Sequence, residues 1–161
     1  MSEPGFVNLR GDANNSKFVA AARSVLGQDL PLEANTMSID KHHVYWLGPD
    51  EWLIVTAGED SMELLTELRR ALAKQHTAVT DVSGGNILLR LSGDNAHEIL
   101  ANGCTMDFHT GVFPIGHCAQ SGLAKALVLI GHIDERPTYE IIVRRSFSEY
   151  LSHWLHAAGN K

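Results

Sequence analysis

The sequence has 161 residues, of which 44% are apolar and 20% charged, and its formal net charge is −6 with the histidines neutral. A chain of this length and composition can bury a core of its own, which excludes a disordered or fibrous protein. The acidic balance, with no basic run longer than the pairs Arg69-Arg70 and Arg144-Arg145, argues against a nucleic-acid partner.

The longest apolar run, Ala126–Ile130, is far shorter than the roughly 20 residues that cross a bilayer. Met1 to Pro4 carry neither the basic nor the apolar segment that is typical of a leader. We therefore predict a cytoplasmic protein with no membrane partner. Cys104 and Cys118 have no C-x-x-C spacing and are interpreted as small buried side chains.

Four segments have the apolar periodicity of helices. Before the first of them, residues 1–14 are predicted to form a flexible N-terminal arm, and residues 15–161 a single domain. The first helix contains Phe18 to Leu26, with Asn15 or Ser16 as its cap and Gly27 as its terminator. The other three are predicted over Asp60–Lys74, Asp94–Asn102 and Ser146–Ala158, and the second and fourth begin with sequences typical of capping boxes.

Runs rich in β-forming residues predict strands between these helices. Val44–Leu47 and Trp52–Val55 flank a Pro-Asp turn and predict a hairpin. Further strands are predicted over residues 77–82, 87–91, 119–123, 126–130 and 139–143. A hairpin followed by a helix appears around residues 44–74 and again around 77–102. This pattern indicates a duplicated α+β fold of antiparallel sheet and packed helices rather than a parallel, doubly wound sheet.

Nine histidines raise the question of a metal site. The densest group of metal-ligating residue types comprises His97, Cys104, His109, His117 and Cys118. Zn²⁺ accepts such ligands, but structural sites usually present them in close pairs, and adjacent residues of a strand point to opposite faces. We therefore predict no metal site. The remaining histidines are interpreted as solvated surface residues: His42, His43, His76, His132, His153 and His156.

No nucleophile elbow and no phosphate-binding glycine loop occurs in the sequence. Asp81 and Asp94 could form a carboxylate pair, but Asp94 is more simply interpreted as a helix cap. The tryptophans Trp46, Trp52 and Trp154 are predicted to be core residues, and an exposed one would mark a protein interface. The residues alone therefore predict no catalytic, cofactor-binding or metal-binding site.

Five stretches, in the same order, resemble the gamma subunit family of heterotetrameric sarcosine oxidases. They are Trp46–Leu53, Asp81–Ser83 with Leu89–Gly93, Asn102–Phe108, Phe113–Ala119 and Arg145–Leu151. The family is similar to the folate-binding domain of the glycine-cleavage aminomethyltransferases. The resemblance thus implies an α+β fold of duplicated, swapped half-domains.

The resemblance also implies a non-catalytic structural subunit that assembles with alpha, beta and delta chains. FAD, FMN and NAD are then expected on the alpha and beta chains, tetrahydrofolate on the alpha chain and zinc on the delta chain. The assembly would oxidise sarcosine with oxygen to glycine and hydrogen peroxide, and would pass the one-carbon unit to tetrahydrofolate.

Two departures from the aminomethyltransferase pattern agree with a non-catalytic role. Leu123–Leu127 carries a lysine and alanines where those enzymes carry acidic residues, and a lysine does not accept a proton from folate at neutral pH. Gly84 follows Ser83 where a histidine is usual. The alternative is a free-standing folate-binding or one-carbon-transfer protein. The sequence leaves open whether the isolated chain forms a homodimer, and whether the substrate is sarcosine or a related N-methyl amino acid.

Overall fold

The structure is a computed structural model and describes residues 3–160. The chain divides after Gly84 into two compact units, here called the first and second units. A single domain of duplicated half-domains over residues 15–161 stays a prediction, and residues 83–86 lie between two of its predicted strands. The strands on either side of that segment belong to different sheets.

The first unit contains one sheet and two α-helices. Its elements are β1 (Gly5–Arg10), α1 (Ser16–Leu26), β2 (Met37–Ile39), β3 (His43–Gly48), β4 (Glu51–Thr56), α2 (Ser61–Ala71) and β5 (Ala78–Asp81). The strands lie in the order β2-β3-β4-β1-β5, and every pairing is antiparallel. The predicted hairpin is confirmed as β3 and β4, in which Trp46 lies opposite Trp52.

The second unit repeats this arrangement. Its elements are β6 (Asn86–Ser92), α3 (Ala96–Ala101), β7 (Cys118–Leu123), β8 (Ala126–Asp134), β9 (Thr138–Arg144) and α4 (Ser148–Gly159). The strands lie in the antiparallel order β6-β9-β8-β7. Among the described residues, no helix is both long enough and apolar enough to cross a membrane.

The predicted duplication is confirmed, but its frame is corrected. Both units have the element order β-α-β-β-β-α, and β6-β9-β8-β7 corresponds to β1-β4-β3-β2 in the first unit. The repeats therefore span residues 5–71 and 86–159, and β5 is an additional strand that pairs with β1. The predicted boundaries of the repeats were wrong because they assumed that strands adjacent in sequence pair with each other. Instead, β1 pairs with β4, whose first residue, Glu51, lies 46 residues after Gly5.

The prediction of a flexible arm over residues 1–14 was also wrong for most of its length. Residues 1 and 2 lie outside the described part of the chain, but Gly5–Arg10 forms β1, which lies between β4 and β5. Phe6, Val7 and Leu9 in this strand are buried. Gly11, which follows the strand, has a packing role, since a Cβ there would collide with the Phe18 ring.

Each unit has its own hydrophobic core between its helices and one face of its sheet. In the first unit, Phe18 of α1 packs on Trp52 with 5.7 Å between the ring centroids, and Leu68 of α2 joins the same cluster. In the second unit, Leu100 of α3 and Leu151 of α4 pack with Ile130 and Ile141 of the sheet.

The helix ends agree only partly with their sequence signals. Asn15 caps α1 by accepting from the backbone of Lys17 at 3.0 Å, and Gly27 ends the helix with φ 72°, as predicted. The capping boxes of α2 and α4 do not form, because Asp60 and Phe147 occupy the cap positions without a side-chain cap bond. Short 3-10 turns precede both helices and take up residues that were predicted to be helical or caps.

Candidate functional site

The histidine and cysteine group weighed as a metal site is distributed over α3, the loop after it and the start of β7. His109 accepts from the backbone of Gly111 through Nδ1 at 3.1 Å, and Cys104 Sγ lies 3.2 Å from Ser121 Oγ. The ring of His117 packs edge-on against Phe113, and Cys118 is buried. Within residues 3–160, no three His, Cys, Asp or Glu side chains come together as a metal site would require.

Two histidines that were predicted to be solvated are buried. His42 is 4% exposed, its Nδ1 lies 2.9 Å from Thr56 Oγ1, and its backbone N–H and C=O both bond to the side-chain amide of Gln28. Burial lowers the pKa of His42 below its ordinary value. The prediction failed because the partners of this residue are brought to it by the loop before β2 and the end of β4, which the sequence does not place together.

His132 is the second buried histidine, at 2% exposure. Strand β8 continues past its predicted end at Ile130. His132 therefore points to the same face of the sheet as Val128 and Ile130, which belong to the core. Its Nδ1 lies 2.9 Å from the Phe113 carbonyl oxygen and its Nε2 lies 3.1 Å from the Asp134 carbonyl oxygen.

An aromatic cluster surrounds His132. Tyr139 stacks on the imidazole with 4.6 Å between centroids, and Phe108 and Phe113 contact the Tyr139 ring. Burial raises the pKa of Tyr139 above its ordinary value. These contacts attach the long loop between α3 and β7 to the sheet, and this accounts structurally for the Phe113–Ala119 stretch.

The Asp81–Ser83 stretch connects the end of β5 to β1. Phe6 donates its backbone N–H to Ser83 Oγ at 2.9 Å, and Val82 donates its N–H to the Phe6 carbonyl at 2.9 Å. Hydrogen bonding to Ser83 lowers the pKa of Asp81. Asp94 does not cap α3 as predicted, since Asn95 occupies the cap position and makes no side-chain cap bond.

The tryptophans are core or core-edge residues, as predicted. Trp52 is fully buried and donates Nε1–H to the Pro31 carbonyl at 2.7 Å, while Trp46 and Trp154 are partly buried against the cores of their units. A Cβ at Gly103 would lie 2.5 Å from the Trp154 ring, so this position favours glycine. The Asn102–Phe108 stretch therefore begins with a close backbone approach to α4.

Charged side chains help to line a cavity in each unit. In the first unit, Arg10, Asp12, Asn15 and His76 help to line a volume of about 670 Å³. In the second, Asp94, His97, Ile115, Glu135 and Arg136 help to line about 590 Å³ beside His132. Cations and carboxylates are mixed in both cavities, and neither presents a set of groups arranged around one reacting atom.

Exposed apolar side chains mark the remaining candidate site, a protein-binding surface. Leu127 of β8 is 82% exposed, the highest exposure among the large apolar residues described. Its exposure could not be predicted from the sequence, because Ala126–Ile130 is a continuous apolar run, which is typical of a strand covered on both faces. Leu127 differs from the buried residues of that run in lying next to the hairpin turn and opposite Gly122.

The fold is shared with a solved aminomethyltransferase. Aminomethyltransferase T of the glycine cleavage system from Bartonella henselae aligns with a TM-score of 0.67 at 15% identity, over 96% of this chain and 43% of that one. At this identity the likeness shows the fold alone. It confirms the predicted class, a duplicated α+β protein of the aminomethyltransferase type.

Closer similarities define the family. Residues 10–161 match the model of the sarcosine oxidase, gamma subunit family. The chain is 34% identical over 151 residues to sarcosine oxidase subunit gamma of Corynebacterium sp. strain P-1, covering 92% of this chain and 72% of the relative. It is 33% identical over 138 residues to the protein of that name from strain U-96, covering 84% and 66%. The chain belongs to the sarcosine oxidase gamma subunit family.

A solved structure agrees with this assignment. A chain of heterotetrameric sarcosine oxidase from Corynebacterium sp. U-96, in complex with pyrrole 2-carboxylate, aligns with a TM-score of 0.89 at 29% identity. The alignment covers 98% of this chain and 80% of that chain. The resemblance stated from the sequence motifs is therefore confirmed.

Proposed function

We propose that this chain is the structural gamma subunit of a heterotetrameric sarcosine oxidase and assembles with alpha, beta and delta chains. The observation that carries the proposal is the similarity, over nearly the whole chain, to a chain of a solved heterotetrameric sarcosine oxidase. The family match over residues 10–161 supports it independently of the structural alignment.

The proposed role is docking rather than catalysis. Three side chains of types that can act as nucleophile, acid or base have structural contacts: Ser83 bonds to β1, Cys104 Sγ lies beside Ser121, and His42 contacts Thr56. The turn between β7 and β8 presents Lys125 where the aminomethyltransferase pattern places acidic residues. We accordingly assign FAD, FMN, NAD, tetrahydrofolate and zinc to the partner chains.

The proposed overall reaction takes place in the assembled oxidase. Sarcosine and oxygen are converted to glycine and hydrogen peroxide, and the one-carbon unit passes to tetrahydrofolate. This reaction places the chain in sarcosine catabolism, and we propose the cytoplasm as its location.

Co-expression with the alpha, beta and delta chains, followed by gel filtration, tests the proposal. We expect this chain to elute with the others and the isolated chain to show no oxidation of sarcosine. Elution as a separate species while the other three assemble would overturn the docking role. Turnover by the isolated chain would overturn the non-catalytic role. Calorimetry with tetrahydrofolate tests the alternative, since binding at micromolar concentrations by the isolated chain would favour a folate protein.

A further inference from the structure

The β7–β8 hairpin of the second unit presents an isolated apolar side chain. Ala126 and Val128 belong to the core cluster, so Leu127, between them on the strand, points to the opposite face of the sheet. An 82%-exposed leucine within a strand gains nothing for the stability of the isolated chain.

The neighbours of Leu127 on the sheet explain this exposure. Gly122 of β7 lies directly opposite Leu127 and has no side chain to cover it. On the other side, β8 and β9 pair Val128 with Val143, so the register brings Arg144 next to Leu127. Arg144 is itself exposed, and its guanidinium lies close to Gly85, with Nη1 3.6 Å from the position that a Cβ would occupy there.

Positive charge is concentrated at this end of the sheet. Lys125 lies in the hairpin turn, Arg144 lies at the end of β9 and Arg145 follows it, and all three residues are exposed. At the other end of β8, Asp134 is the last residue of the strand and Glu135 follows it. A cationic cluster stands out because the whole chain has a net charge of −6.

The hairpin is fixed to the rest of the second unit. Ala124 donates its backbone N–H to the Gly103 carbonyl at 2.8 Å, and Lys125 donates its backbone N–H to Tyr150 Oη at 3.3 Å. A surface held in this way loses little conformational entropy on binding, which favours affinity.

We propose that the surface formed by Lys125, Leu127 and Arg144, called here the Leu127 surface, docks an acidic segment of another chain of the oxidase. The segment would place an apolar side chain on Leu127 and carboxylates beside Lys125 and Arg144, because complementary charge steers association and a buried apolar contact supplies affinity. This inference rests on the proposed function and specifies the part of the chain that carries it out.

Competition between two gamma chains in one cell tests the inference. The alpha, beta and delta chains are co-expressed with equal amounts of wild-type gamma and one variant, and the gamma ratio in the purified oxidase is measured by mass spectrometry. We expect Leu127→Asp to be incorporated at about one tenth of the wild-type level or less, as for a central interface residue. The double variant K125E/R144E should be reduced in the same direction.

Val112→Asp is the matched control, since Val112 is 60% exposed on the same unit but lies in the loop before β7. Its incorporation should equal that of the wild type. Incorporation of Leu127→Asp at the level of Val112→Asp would overturn the inference. Thermal unfolding of each free variant checks the fold, and Leu127→Ser provides a milder change if Leu127→Asp unfolds.

A photo-crosslinking amino acid at position 127 identifies the occupant in the assembled oxidase. We expect a crosslink to a partner peptide that contains Asp or Glu near the attachment point. A crosslink to a second copy of gamma, or to a peptide without acidic residues, would overturn the inference. Absence of wild-type gamma from the purified oxidase would instead overturn the proposed function, so the two failures are distinguishable.

Discussion

Ser83 Oγ accepts a hydrogen bond from the backbone N–H of Phe6 at 2.9 Å, across 77 residues of sequence. The bond connects the last residues of the first unit to its first strand, β1, which sequence reasoning did not identify. It also gives the Asp81–Ser83 stretch a structural role, since Asp81 in turn accepts a hydrogen bond from the backbone N–H of Ser83 at 3.0 Å.

Ser83→Ala should lower the free energy of unfolding by about 1 kcal/mol, because the partly buried N–H of Phe6 loses its acceptor. A loss of this size corresponds to a fall of about 3 °C in Tm for a chain of this length. Thermal unfolding followed by circular dichroism measures it. Ser24→Ala, on the exposed side of α1, is the control and should leave Tm unchanged. Equal Tm values for Ser83→Ala and the wild type would contradict the role assigned to this bond.

Gly103→Ala should destabilise the second unit by about 1–3 kcal/mol, since the new methyl group would lie 2.5 Å from the Trp154 ring. Trp154 is only half-buried, so its ring should shift and its fluorescence spectrum should change along with the stability. Denaturant unfolding monitored by tryptophan emission detects both effects. Gly84→Ala is the matched control, because a Cβ there meets no atom within 4 Å. A Gly103→Ala protein as stable as the control would show that the approach to Trp154 is not tight.

His42 should make the stability of the chain fall in mildly acidic solution. Burial holds the pKa of His42 in the folded state below its ordinary value of 6.5, so the unfolded chain binds more protons below that pH. The stability associated with His42 is therefore complete above about pH 6.5 and is lost as the pH falls toward the lowered pKa. Urea unfolding from about pH 8 to about pH 5 measures this slope.

Replacing the ring isolates the contribution of His42. His42→Gln should unfold more easily at neutral pH but show a flatter pH dependence than the wild type. His156→Gln, at an exposed position on α4, should keep the wild-type slope. The pKa values of Asp81 and Asp134 are lowered from 3.8, so their effects occur at more acidic pH and are separable from that of His42. An unchanged slope in His42→Gln would contradict this assignment.

Local signals in the sequence predicted local structure well. Asn15 and Gly27 indicated both ends of α1, and the Pro-Asp turn indicated the β3–β4 hairpin, because each signal acts within a few residues. The five motifs indicated the family, which the comparisons confirm. Strand pairing across the chain could not be predicted in the same way. β5 and β6 are neighbours in sequence but belong to different sheets, and β1 was missed because its partners are distant.

Burial of individual side chains followed from those distant pairings. His132 is polar, yet the continuation of β8 places it on the core face beside Tyr139. Leu127 is apolar, yet it lies opposite Gly122 and is exposed. Residue type alone gave the wrong environment in both cases, because the environment depends on register. The exposed leucine is the feature that connects the fold to the proposed docking role.

Native mass spectrometry of the oxidase purified from cells that co-express the four chains tests the central claim most directly. The account predicts one dominant assembly whose mass includes this chain together with alpha, beta and delta. Detection of this chain only as a free or self-associated species, beside an assembly of the other three, would contradict it.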